Sequence, residues 1–278
     1  MADNGSTGLS AVESLLGDRY TREARLGPAF LAFFPIVLLL IAWVTELQNL
    51  IPGLLTLFCV FGVVRWISHI ARGVGDSREV GLYREWGGKP TTTLLRVISG
   101  RLDLETIKDK GQIAHILGEI GHRDIAELIA ERKGPKFPTE AKDKAALHEC
   151  GDELSDKVDA LDALYEPVVA WIRENTRENQ LLLEENISYG FQRNFFALKT
   201  FALVCGFVAL AIQAASLTLV WMKNPANITP AAIAVSAGIV LYLLGVIFFV
   251  SRESVKVQGF AYARQLINSI YTIHPEKK

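Results

Sequence analysis

Cysteine is scarce in this sequence: Cys59, Cys150 and Cys205 are the only three. They set up no pairing framework, which excludes a disulfide-stapled secreted scaffold and fits a reducing compartment. Net charge is nearly absent too, since 29 Lys and Arg stand against 30 Asp and Glu. Bulk attraction for nucleic acid is thereby excluded, and any anion site has to be local. No run of alternating apolar and polar residues calls for a sheet. The H-E-x-x-H, G-x-S-x-G, G-x-G-x-x-G and kinase signatures are all missing, so neither an enzyme nor a cofactor is expected.

Charge is also nearly missing from four windows, Leu26–Val44, Leu50–Ile70, Thr200–Met222 and Pro230–Val250. Each approaches the ~20 residues needed to cross ~30 Å of hydrocarbon. A signal peptide is the competing reading for the first window. Asp18, Glu23 and Arg25 precede that run and no small-residue cleavage site follows Val44, so the segment is expected to be retained. The stretch from Arg72 to Asn194, by contrast, is dense in charge.

Arg19, Arg22 and Arg25 precede the first window, and Arg65 and Arg72 close the second. The intervening TELQN has neither Lys nor Arg, and KNPANITP carries only Lys223. Counted by the positive-inside rule, both termini and the middle region are cytoplasmic. The expected fold class is therefore all-α: an integral membrane protein with four transmembrane helices in two hairpins plus a helical cytoplasmic domain. The boundaries are 1–25 for the N-terminal segment, 26–71 and 195–250 for the hairpins, 72–194 for the domain and 251–278 for a C-terminal helix or tail. Asn227 in an N-x-T acceptor triplet falls outside, which matters only in a eukaryotic secretory pathway.

Within the domain, Thr91 or Thr92 can cap a helix through Leu94, Leu95, Val97 and Ile98. Two further helices are spaced at three and four in DLETIKDKGQIAHILGEIG and HRDIAELIAERKG, and PKFP reads as a linker. A long helix is expected from about Thr139 to Thr176, broken or bent near Pro167. From Glu178 no proline interrupts the chain until after the third span, so one continuous helix can enter the membrane.

LYREWGGKPTTTLLR places Gly87, Gly88 and Lys89 before a helix start, the shape of an anion cradle. Tyr83 stands where a Walker A loop needs its first glycine, and a plain turn is the favoured reading. RWISH, with Arg65 and His69, reads as a headgroup anchor before a nuclease motif. His148 and Asp152 sit at i, i+4 among acids spread around a helix, so a solvated face is favoured over a metal site; His115 and His122 make no known ligand spacing. In ENISYGFQRNFF, Tyr189 and Arg193 can stack a base and pair with phosphate, or simply anchor the span. Lys89, Tyr189 and Arg193 are the ligand candidates.

In the third span, steps of three and four connect Lys199, Ala202, Gly206, Ala209, Gln213, Ser216 and Val220. Small residues allow close packing and a glutamine bonds across the contact. Two readings stay open: Gln213 and Ser216 stitch helices within one chain, or several copies place Gly206, Ala209, Gln213 and Ser216 around a pore.

Two short hairpins beside a compact domain, with LYREWGGKPTTTLLR and ENISYGFQRN as their distinctive segments, resemble the membrane effectors of bacterial anti-phage operons of the CBASS and Hailong types. That resemblance implies a bacterial inner-membrane homo-oligomer in contact with the bilayer. It also implies a pore opened by a nucleotide or oligonucleotide signal from a partner nucleotidyltransferase. The rival is a non-channel scaffold or regulator that recruits a cytoplasmic partner.

Overall fold

The computed structural model describes residues 18–43, 50–99, 110–119, 121–130 and 151–272, with backbone alone at 41–42, 50–60, 96–99, 110–112, 128–130 and 151–162. Among the described residues there are helices and turns and no strand, as the missing period-two alternation implies. A π-helical turn, Thr21–Leu26, leads into α1 (Gly27–Trp43). Then follow α2 (Leu50–Trp86), α3 (Pro90–Ser99), α4 (Lys110–Glu119), α5 (Arg123–Ala130) and α6 (Gly151–Asn175). The last three are α7 (Gln180–Lys223), α8 (Pro230–Phe249) and α9 (Arg252–Asn268), ending in a 3-10 turn, Ser269–Thr272. The chain divides into two compact units, Met1–Arg78 with Ile187–Val255, and Glu79–Asn186 with Lys256–Lys278.

Among the described residues of the first unit, three stretches are long and apolar enough to cross a membrane: Thr21–Leu40, a span within the 44 residues of α7, and the 20 residues of α8. Leu50–Ile70 is helical throughout as part of α2, with the side chains of 50–60 outside the described residues. Inside the unit, Ala29, Ala32, Ala71 and Ala202 are all fully buried beside Phe195 and Leu198. Small side chains at the seams let helix backbones approach, which is how packing is gained where lipid is as apolar as leucine. The outer faces of α7 and α8 are apolar as well: Phe207 is 55% exposed and Phe249 77%. Such a surface suits hydrocarbon and not water. α8 starts cleanly, because the Thr229 hydroxyl accepts the Ala232 amide and Pro230 occupies the first helical position.

The second unit has its own core, built on Leu95, Ile113, Leu117, Tyr165, Ile172 and Leu266, all fully buried. α4 and α5 form a short hairpin whose turn needs Gly121 at φ +95°. The C-terminal helix completes this core, since Ala263, Leu266, Ile267 and Ile270 recur at three and four and are all buried. Its apolar face therefore packs on the core of the second unit.

Two expectations shift. α3 begins at Pro90, ahead of the threonines expected to cap it. Proline has no amide to lose at a first helical position, so Lys89 is the cap residue; its carbonyl accepts the Thr92 hydroxyl and the Thr93 amide. α6 runs through Pro167 without a break, which removes the broken form of that expectation and leaves the bent one. The ring lies on the exposed side, where water can satisfy the carbonyl that loses its amide partner. PKFP and the N-terminal part of the expected long helix lie outside the described residues.

Candidate functional site

Gln213 is fully buried although it sits in an apolar span. Its Oε1 accepts the Trp43 indole N–H at 2.6 Å. Its Nε2 donates to the Ala232 carbonyl at 2.8 Å and to the Ser236 hydroxyl at 3.2 Å. Three helices, α1, α7 and α8, are thus joined at one amide, and the cost of burying it is met inside the chain. Ala209 is fully buried in the same seam. Gly206 lies against α8 so closely that an added Cβ would stand 2.5 Å from Leu243 Cδ2. Of the four pore candidates only Ser216 keeps partial exposure. The contacts of Gln213 are those of the stitching alternative, in which it joins helices within one chain.

A second polar node forms where the π-helical turn meets α7. Pro28 has no N–H, so the Ala24 carbonyl loses its ordinary i+4 donor. The buried Asn194 side chain donates to it at 2.7 Å. Arg193, its side chain 15% exposed, reaches Asp76 at 3.3 Å and donates to Asn194 Oδ1 at 3.4 Å. Two glycines sit in close contact here: a Cβ at Gly190 would lie 2.8 Å from the Tyr20 hydroxyl and 3.0 Å from Ala24 Cβ, and one at Gly75 would lie 3.0 Å from Asn194 Oδ1. Tyr189 is buried in the same part of α7. One turn farther on, Lys199 donates to the Val250 carbonyl at 2.7 Å and to that of Ile247 at 3.2 Å. A cation so placed satisfies carbonyls at the C-terminal end of α8 and opposes its dipole.

The glycine turn before α3 is a helix terminator. Gly87 and Gly88 take φ of 77° and 123°, and their amides bond back to the Arg84 and Tyr83 carbonyls. Those amides are consumed in ending α2, as in a Schellman-type stop, so they do not form a cradle. Lys89 pairs with Glu166 at 3.0 Å, and Arg173 approaches the other oxygen of that carboxylate at 4.0 Å. The three ligand candidates are therefore not gathered in one unit: Lys89 belongs to the second, Tyr189 and Arg193 to the first.

The remaining candidates are simpler. His69 is exposed, and Trp66 beside it is 67% exposed, as suits an interfacial anchor. His115 faces outward and approaches Glu119 at 3.7 Å. His148 and Cys150 lie outside the described residues, as do the side chains of Cys59 and Asp152.

The second unit also contains a cavity of about 270 Å³ that none of the sequence candidates reaches. Arg173, Arg177, Asn179, Asn186 and Tyr262 line it, with Leu182 and Leu183. The sequence signal for it was the dense run IRENTREN, which covers the end of α6 and the turn before α7; Tyr262 comes from α9, far along the chain. Compared with family models, curated proteins and solved structures, the chain finds no match.

Proposed function

We propose that this chain is a four-span bacterial inner-membrane effector in which several copies open an ion path when an anionic ligand binds the helical domain. Both termini and that domain lie on the cytoplasmic side in this reading, and the fourth crossing is made by the N-terminal part of α2. The distribution of arginine and lysine around the apolar windows supports the sidedness. A further crossing is supported by the uncharged run that precedes Arg65 in α2.

One observation carries the reading. α7 is a single helix of 44 residues, about 66 Å long at ~1.5 Å per residue. Its first two turns carry Leu182, Leu183 and Asn186 of the basic cavity. Its later turns carry Gln213 and the seam. No proline interrupts it, so a rotation imposed at its start reaches the span without a joint to absorb it. In this reading the closed state is the one with Gln213 bonded to Trp43 and Ser236. Opening breaks that node and turns Gln213, Ser216, Ala209 and Gly206 toward an axis shared by several copies.

Ion flux through proteoliposomes tests the reading, with mononucleotides, dinucleotides and short oligonucleotides added on the domain side. Flux that rises with one of these, and rises without ligand in Trp43→Phe, is the expected result. No flux under any of them, together with a monomer in detergent, overturns it. The second reading, a non-channel scaffold that holds a cytoplasmic partner at the membrane, is favoured by one feature: Gln213 already has every partner it needs within the chain. It expects a monomer or dimer and a silent flux assay.

A further inference from the structure

The cavity of the second unit has a basic lining. The ionisable groups among its described lining are two guanidiniums, Arg173 and Arg177, and a phenol, Tyr262, with no carboxylate among them. Glu166 and Glu174 stand behind the arginines at 4.0 and 3.9 Å, distances at which exposed pairs hold weakly. A guanidinium so placed can exchange a loose carboxylate for a bidentate phosphate. The amide of Asn179 adds a donor, because only its Oδ1 is committed, to the Leu182 amide at 3.2 Å. Asn186 adds a second amide, and Leu182, Leu183 and Tyr262 supply an apolar wall with one aromatic ring. Phosphate oxygens attached to a flat or apolar body match that combination.

From this geometry we propose that the open cavity bordered by α6, α7, the turn between them and α9 binds a phosphate ester, with Arg173 and Arg177 on the phosphate and Tyr262 against the body. A volume of about 270 Å³ lies near the lower bound of ~300 Å³ for ligand pockets. One phosphate with one ring fills it, so a longer chain of nucleotides would insert a single unit. As the gating site, the cavity rests on the ligand-gated reading; as a binding site, it stands alone.

The test uses the full chain in phosphatidylcholine nanodiscs, titrated calorimetrically with adenosine monophosphate, inorganic phosphate and adenosine. A second arm replaces a tenth of the lipid with phosphatidate, a phosphate monoester headgroup. Adenosine monophosphate is expected to bind and adenosine is not. Arg173→Gln with Arg177→Gln should weaken binding by at least about tenfold for each charge-assisted hydrogen bond removed. Arg177→Lys should fall between, and Tyr262→Leu should weaken the nucleotide but not inorganic phosphate. A response confined to phosphatidate discs, and abolished in the double variant, supports the phosphate site and assigns the ester to lipid. Absence of binding in both arms overturns the proposal. So does equal binding by wild type and a double variant whose thermal midpoint is unchanged. Binding without flux would retain the site and remove the channel. Ligand-dependent flux that survives the double variant would do the reverse.

Discussion

At the residue scale, Gln213 shows how one amide can be made tolerable in an apolar span. It has an acceptor oxygen and two N–H donors, and the oxygen and both donor directions find partners within the chain. Hydrogen bonds between helices in membranes average about 0.6 kcal/mol and reach about 1.7. Gln213→Leu, which keeps the bulk and deletes all three bonds, is expected to lower stability by about 1–2 kcal/mol in a detergent unfolding titration. Trp43→Phe leaves the buried Gln213 oxygen without its donor and is expected to cost about 1–3 kcal/mol; an unchanged midpoint in both variants would mean that the node stabilises nothing. Asp18 offers a test by pH at the start of the described chain. Its Oδ1 accepts the Thr21 amide at 3.0 Å. The Thr21 hydroxyl first, then that amide, hold the carboxyl below its ordinary 3.8, with the Arg25 charge adding to them against a small opposing effect of burial. A carboxyl depressed on folding contributes stability above its unfolded value and loses it as pH falls through the folded one. Exchange of the Thr21 amide should therefore accelerate below pH 3.8 in the wild type and lose this dependence in Asp18→Ala.

At the element scale, the entry into α1 is governed by a residue that cannot donate. Pro28 leaves the Ala24 carbonyl without its i+4 amide, and Asn194 supplies the substitute from α7. Asn194→Ala is expected to cost about 1–3 kcal/mol, the range for leaving a buried polar group unsatisfied. In a Pro28→Ala background the carbonyl regains a local donor, so the same substitution should cost clearly less. A double-mutant cycle measures that coupling, and additive losses would show that the two residues act separately. The missing amide of Pro28 was legible in the sequence, because it follows from one residue and a fixed spacing; the identity of its rescuer was not. The same division runs through the rest. The apolar windows, the unbroken α7 and the seam of Gly206, Ala209 and Gln213 are local patterns, and each was readable. Trp43 as the partner of Gln213 is 170 positions away, and Tyr262 joins the cavity from a separate helix. Gly87 and Gly88 were favoured as a turn, yet the cradle stayed open for a related reason: glycines that end a helix and glycines that cradle an anion look alike until the direction of their amides is known.

At the scale of the whole molecule, the number of crossings fixes which segments share a side. Among the described residues three stretches are long and apolar enough by themselves, and the proposed fourth is the N-terminal part of α2. Parity separates the two cases. With four crossings, Asp18 and Glu178 face one side of the bilayer and Ala226 faces the other. If α2 does not cross, α1 alone separates Asp18 from Glu178, α7 brings the chain back, and Asp18 shares its side with Ala226. Single cysteines at these three positions, in a chain whose three native cysteines are replaced by alanine, distinguish the cases with a thiol reagent that does not permeate. In sealed inverted vesicles, labelling at Asp18→Cys and Glu178→Cys is expected, and labelling at Ala226→Cys only after the vesicles are opened. The absence of arginine and lysine from TELQN and from residues 224–229 favours that result, since basic residues resist translocation. Were Asp18→Cys to label with Ala226→Cys instead, α2 would lie on one side throughout. The domain and the N-terminus would then be separated by the membrane, and a cytoplasmic ligand could not be assigned from the charge pattern.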